Sequence, residues 1–585
     1  MYKLLQSNPQ LNKGDGFSQS DEAFSLTPKL DNQIQVEVAA AFDSTLDKCS
    51  FGSDLENHLS SDSLRRVLAA APFNFIQALN TDKIRFVLDL SDDFGTVAHY
   101  LADKTAFVES VKSDKDLARL SVRRSFHKEN VEVILEDIEK LKFPTGHYDL
   151  IILGQLENHT LDNRALARLL GKLRAALSTQ GVLIINAPNR DRLSKFYAPD
   201  ALDSPAAPKF ADLYNYRIEE SHSREVEITD IRTTLLNSGF AHIDIHGSFS
   251  QGVNIDNLFS EEYLNTCVNP LNHFYRINSL GQPELCEYLL YEQFVTNKKR
   301  LIESASRFVI FAGGSMQSVT AIYNNDFSHF AGQGRKLGWR ANTYRAHAAA
   351  HVSKQKLFVE AKEDDQIISQ DLSDMPFQKG SLLVGDWLAS VLDNDYLGLR
   401  KLVEEYFQWL TSLEANQEEF QRTAYDLLPF NLLVKEKSGQ RQLLSIDTEW
   451  HLQVPFDAKF VLFRALYWFA FENRALLRNF ASNHALHTIK AFIRHFADSV
   501  TQIESIEDFA AKEEDIQQAI QTRFTSGSVR LVLEQSFDLD DSSDNYQTTS
   551  QAVWAHSDGR ILSEQLYSRY YQKQSDPTQV VLFTG

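Results

Sequence analysis

Late in the chain, two carboxylates and one amide have types and spacing that could do chemistry. In TAYDLLPFNLLV, Asp426 and Asn431 stand five residues apart, with Pro429 between them and an apolar run after. Asp447, in SIDTEW, follows 21 residues after Asp426. Phosphoryl transfer asks for such a set: a carboxylate to orient the attacking hydroxyl, and ligands that hold a metal on nucleotide phosphates. Asn and Asp supply hard oxygens, which Mg²⁺ prefers. Leu432, Leu433 and Val434 begin a strand, KSGQ suits a hairpin turn, and QLLSIDTEW returns to Asp447. One loop and one hairpin would therefore bring the three residues together. A plain Asx-type turn would use the same Asp and Asn without any chemistry.

Helices must support that loop. The patterns over 393–413 and 458–480 are helical and flank it on both sides. GSLLVGDWLASVL (380–392) reads as a short strand leading into a further helix. SRFVIFAG opens a β-rich stretch that reaches about residue 360.

The earlier half alternates strand and helix. IRFVLDL, AFVESV, VEVIL, YDLIIL, GVLIINAP and AHIDIHGSF read as strands. TVAHYLAD, SDKDLARLSVRRSF, NRALARLLGKLRAAL and EVEITDIRTTLLNSGF read as helices between them. Continuous apolar strands alternating with helices predict a doubly wound, parallel α/β sheet over roughly residues 84–250. In such a sheet a ligand sits beyond the carboxyl ends of the strands. The loop there, Asp89-Leu90-Ser91-Asp92-Asp93-Phe94-Gly95, ends the first strand.

Composition bounds the partners. The chain has 585 residues, 43% of them hydrophobic, enough for several packed domains. A net charge of −20 argues against general nucleic-acid binding, which needs clustered Lys and Arg. Three scattered cysteines, Cys49, Cys267 and Cys286, make neither a disulfide framework nor a Cys-type zinc site. MYKLLQSNPQLNKGDG has no apolar core of a secretory signal, and no stretch of about 18 apolar residues spans a membrane. The expectation is a cytoplasmic protein. The acidic DLDDSSDN lacks the Gly and the closing Glu of a calcium loop.

The strand-one Asp89, the YDLIILGQLENH stretch and the order of elements resemble class I S-adenosylmethionine-dependent methyltransferases. NHLSSDSLRRVL and APNRDRLSKFYAPD resemble, more narrowly, a bacterial group of surface-polysaccharide loci that fuses such a domain to a kinase-like one. The resemblance runs in order from about His58 to Tyr263. It implies that Asp89, Gly95, Asp137 and Gln155 face the cofactor, with Asp137 near the adenine amine. It also implies an acid after strand two that accepts from the ribose diol. Lys112 stands at that position, and Glu109 would take the role if the register slips. Of three glycines usual in the loop only Gly95 is present, with Ser91 and Asp93 at the others. S-adenosylmethionine binding is accordingly expected to be degraded.

The later half resembles the aminoglycoside-phosphotransferase-like branch of the kinase superfamily, where D-x-x-x-x-N and I-D-x-E recur. That implies Asp426 as the catalytic carboxylate, Asn431 and Asp447 as Mg²⁺ ligands with ATP, and a strand lysine on the phosphates. Lys354 is first choice, Lys356 second. Ala424 replaces a frequent His, and Gly313-Gly314 is the nearest match to a glycine-rich loop.

The expected organisation is a polar arm (1–55), a Rossmann-type methyltransferase-like domain (56–255), a helical connector (256–304), a kinase-like α+β domain (305–524) and a β-rich end (525–585). The implied role is synthesis or modification of a surface polysaccharide, acting on a glycan or glycolipid intermediate, with polysaccharide-assembly enzymes as neighbours. The alternatives are an active methyltransferase with an inert second half, and a non-catalytic scaffold.

Overall fold

The computed structural model describes residues 3–8, 12–14, 17–19, 32–45, 70–159, 161–190, 225–250, 253–266, 301–332, 334–359, 367–437, 440–522 and 527–537, with scattered positions between 48 and 68. Its largest feature is one sheet of 14 strands. A hairpin of β1 (Asn12–Gly14) and β2 (Phe17–Gln19) lies at one edge. Then come the parallel strands β5 (Val131–Leu135), β4 (Phe107–Lys112), β3 (Phe86–Asp89), β6 (Tyr148–Leu153) and β7 (Leu177–Pro188). Alternate side chains explain why these strands are apolar throughout. Ile151 and Leu153 pack on one face, Leu150 and Ile152 on the other, and all four are buried.

Helices cover both faces and begin on local caps. Asp114 accepts from the N–H groups of Asp116 and Leu117 and starts Lys115–Arg124. Asp162 does the same for Asn163–Ala176 through Ala165 N.

Beyond β7 the sheet changes direction. β10 (Arg307–Gly313) lies antiparallel between β7 and β8 (His242–Ser248). SRFVIFAG was expected to open the second domain at 305, so this corrects the boundary. The strand is apolar on both faces and buries every residue, which suits a central position in the large sheet and not the rim of a small lobe. Gly313 therefore belongs to the first sheet. The connector expected over 256–304 contains a further strand, β9 (Asn257–Ser260), and a short helix, Glu261–Thr266. Its residues 267–300 lie outside the described ones.

The arm expected to have little core is docked. Leu4 is fully buried, and the helix Asn32–Ser44 turns Val38, Ala41 and Phe42 onto Leu120. That i, i+3, i+4 spacing is an ordinary apolar stripe within a polar-looking sequence.

From β9 the same sheet runs on, antiparallel, through β11 (Asn325–His329), β12 (Ala341–Ala346), β13 (His351–Lys356) and β15 (Met375–Pro376). Two small sheets lie apart from it. One pairs β14 (Ile368–Gln370) with β19 (Trp450–Leu452). The other pairs β16 (Ser381–Leu382), β17 (Leu432–Lys437) and β18 (Gln440–Ser445). One core joins these to the helices Leu383–Leu392, Tyr396–Glu414, Ala458–Glu472, Arg474–Asn483, Ile489–Asp498 and Ile506–Ile520.

At the end, SVRLVLEQSF was expected as a strand but forms the helix Ser528–Leu533. Val529 and Leu533, four apart, are buried, while Leu531 faces out. Burial at helical spacing overrode the β preference of the valines. The expected strands QAVWAH and QVVLFTG, and the acidic DLDDSSDN, lie outside the described residues. No helix among the described residues is long and apolar enough to cross a membrane.

Candidate functional site

The loop after β3 is folded around Lys112. The Lys112 ammonium donates to the Ser91 carbonyl and contacts Asp93 Oδ1 at 2.5 Å and Asp89 Oδ2 at 3.4 Å. Lysine and both carboxylates are almost fully buried. Burial alone would lower the lysine, but Asp89 and Asp93 hold it above its ordinary value, so it stays charged. The other loop groups are also spent. Asp93 accepts from the N–H of Gly95 and Val97, both at 3.1 Å, and starts the helix Thr96–Ala102. Asp92 accepts from Ser113 N at 3.1 Å and from the Ser113 hydroxyl. Asp89 accepts from Ser91 N and Ser110 Oγ at 2.9 and 2.7 Å. Gly95 has φ +76, and a Cβ there would meet the Ser121 backbone at 3.1 Å, so glycine is required for packing as well as for the turn.

The choice between Glu109 and Lys112 is decided by the sheet. Three residues apart on β4, they face opposite sides. Glu109 accepts from Leu4 N at 3.0 Å and Tyr148 OH at 2.6 Å, away from the loop, and burial raises its carboxyl. Glu109 is therefore not the acid at this loop. Asp137 accepts from Glu139 N at 2.9 Å, a local turn, while Gln155 adopts φ +47 and accepts from Asn158 at 3.2 Å. Arg307 of β10 pairs with both oxygens of Glu157 at 2.7 and 3.0 Å, fixing the stretch after β6.

The second half is arranged differently. Lys354, Asn431 and Asp447 line one cavity of about 880 Å³, although the first lies far from the other two in sequence. Lys354 Nζ lies 2.5 Å from Asp447 Oδ1 and 2.9 Å from Glu449 Oε2. Of the two lysines considered, Lys354 is the one in these contacts. Burial would lower it, and the two carboxylates raise it on balance. Asp426 does not line the cavity. It lies directly beneath, where Oδ2 accepts from Trp450 N at 2.6 Å and its carbonyl accepts from Asn431 Nδ2 at 2.9 Å. Burial, with Asp447 adding to it, pushes Asp426 up to about 8. The loop is held from behind. Tyr406 OH donates to Leu427 O at 2.7 Å, and Arg464, paired to Glu513 at 2.7 Å, donates to the Tyr425 carbonyl.

Two features were missed in the sequence. Glu449, in SIDTEW, joins Lys354, Arg335 (2.6 Å) and Gln370 (2.5 Å); its acidic type two residues after Asp447 was the available signal. The turn between β11 and β12 carries Gly332 and Gly334, and Gly332 lines the cavity with open space beside its Cα. Gly313-Gly314 does not serve there, because a Cβ on Gly314 would meet Arg174 of the first half. The signal was the GQG following an apolar strand. Among the described residues, no group of three or more His, Cys, Asp and Glu could hold a metal by itself. Mg²⁺ in nucleotide sites needs only one or two protein carboxylates, because phosphates and water complete its shell.

No family model matches the chain, and no curated protein matches it. Solved structures match over about 40% of its length, at the N-terminal side. A SAM-dependent methyltransferase from Archaeoglobus fulgidus is 18% identical, covering 41% of this chain and 90% of its own, with a TM-score of 0.25. The YcgJ protein from Bacillus subtilis is 15% identical, covering 41% and 96%, with a TM-score of 0.24. A phosphoethanolamine N-methyltransferase from Haemonchus contortus is 13% identical, covering 41% and 51%, with a TM-score of 0.25. The chain thus spans about half the length of that last enzyme. Likenesses at these TM-scores carry no argument about activity.

Proposed function

We propose that this chain is a Mg²⁺- and ATP-dependent phosphotransferase whose methyltransferase-like half no longer uses S-adenosylmethionine. The observation that carries the reading is the convergence of Lys354, Asn431 and Asp447 on one cavity, with Asp426 directly beneath it. Asn431 and Asp447 offer hard oxygens, and Asp447 keeps 36% of its side chain exposed, so a cation can reach it. Bound there, Mg²⁺ would neutralise charge on the nucleotide phosphates. Lys354 would pair with phosphate oxygens in place of its present carboxylate partners. Gly332 leaves room for the phosphates under the β11–β12 turn. Asp426 would orient the acceptor hydroxyl and take its proton; a value near 8 suits a group that must hold and release protons near neutral pH. The acceptor, a glycan or glycolipid intermediate of surface-polysaccharide synthesis, is supported by resemblance alone.

Against use of S-adenosylmethionine stands the Lys112 cluster, which spends the donors and acceptors of the loop on itself. A thermal-shift titration tests the main reading. Mg²⁺ with ATP should raise the melting temperature more than either alone, because binding to the folded state stabilises it. Asp447→Ala should abolish that gain. An unchanged gain in Asp447→Ala would sink the metal assignment.

A further inference from the structure

The cavity of Lys354 and Asp447 is closed at one end by the methyltransferase-like half. Asp256, Asn257 and Tyr263 line it along with Gly332, Lys354 and Asp447. Asp256 stands just before β9, and β9 pairs with β11, so the two halves meet there edge to edge. The Asp256 carbonyl accepts from Phe330 N at 2.8 Å, where the glycine-bearing turn begins. Its own N–H donates to Ser250 Oγ at 2.7 Å. Burial pushes the Asp256 carboxyl up, and the Ser250 hydroxyl is the neighbour that draws it back. A carboxylate in a cavity wall without a cation beside it is costly until hydrogen-bond donors reach it.

We propose that Asp256 accepts hydrogen bonds from the ribose diol of a bound nucleotide, so that the methyltransferase-like half forms part of the nucleotide site. The inference rests on the phosphotransferase reading. In a nucleotide the ribose stands between base and phosphates. Lys354, Asp447 and Gly332 mark the phosphate end. Val352 and Leu433, from facing walls, offer an apolar slot for a base. The ribose then falls below the start of the glycine-bearing turn, beside Asp256. Two vicinal hydroxyls supply two donors, and one carboxylate has the acceptor sites to take both. A chain that has spent its methyltransferase loop on Lys112 still requires that half of the fold, because the half completes the cleft.

Calorimetry on the full chain with Mg²⁺ tests this, comparing ATP with 2′,3′-dideoxy-ATP. Wild type should prefer ATP by roughly 10- to 100-fold, the range for hydrogen bonds to a charged group. Asp256→Ala should bind both nucleotides alike, at the wild-type affinity for the dideoxy compound. Asp256→Asn, which keeps the shape and one acceptor oxygen, should show a smaller preference and covers the case of a poorly folded alanine variant. A full preference retained in either folded variant, or a wild type that binds both nucleotides equally, overturns the assignment of Asp256 alone. A wild type that binds neither nucleotide overturns the phosphotransferase reading, and this inference with it.

Discussion

Lys112 and Lys354 are both held between two carboxylates, one lysine in each half of the molecule. Around Lys112 everything is sealed. Asp89 and Asp93 are almost wholly buried, and the Ser91 carbonyl takes a further hydrogen bond. Around Lys354 one partner, Asp447, remains 36% exposed on a cavity wall. The same three charges make a plug in one setting and an addressable site in the other. What differs is whether a ligand can replace the carboxylates. Water and ions reach Asp447, so its pairing with Lys354 can be exchanged at modest cost. Removing a partner from the sealed cluster leaves charge in a low-dielectric interior.

The comparison breaks most sharply on chemistry. Asp426→Asn keeps the shape beneath the cavity and removes the titrating carboxyl. Transfer from labelled ATP to glycan intermediates should fall by about 10²–10⁴-fold, the usual range for a positioned general base. Nucleotide binding, followed by calorimetry, should stay nearly intact. Equal transfer by wild type and variant would leave the second site a nucleotide-binding one without catalysis.

Stability separates the two lysines next. Lys112→Met strands Asp89 and Asp93 and should cost about 3–5 kcal/mol in urea unfolding. Lys354→Met should cost less than about 2 kcal/mol, because Asp447 can hydrate and Glu449 keeps Arg335. Similar losses for the two variants would mean that the second site is a structural cluster too.

S-adenosylmethionine affinity sharpens the first half of the comparison. Two lost hydrogen bonds should weaken binding by roughly 30–150-fold relative to an intact site, or about 2–3 kcal/mol. Low-micromolar binding in calorimetry would show that Lys112 yields to the cofactor.

The smallest effect is in pH. Asp426 titrates at about 8 in the folded chain, well above its ordinary value of 3.8. Between those values the folded state holds a proton that the unfolded state has released. Wild-type stability should therefore fall as pH rises from about 5 to 8 relative to Asp426→Asn, which cannot titrate. Parallel unfolding midpoints of the two proteins across that range would contradict the buried, protonated Asp426.

The pattern of apolar residues was enough for the alternating strands of the first half and for the helices around 396–414 and 458–483. Those signals are local, with a period of 2 or 3.6 residues, and hold wherever the segment packs. The spacing of Asp426, Asn431 and Asp447 was legible for the same reason, since one turn and one hairpin span it. Contacts between distant segments were not. Which face of β4 meets the loop follows from alternation, but that Lys112 bends back onto Asp93 depends on a partner 19 residues away. The insertion of Arg307–Gly313 between β7 and β8 depends on edges that other segments leave open. The joining of β9 to β11, which brings Asp256 to the turn at Phe330, is the same kind of event. A strand edge offers identical N–H and C=O groups whatever its sequence, so the choice of neighbour is made by the burial of whole faces, and only the folded chain expresses it.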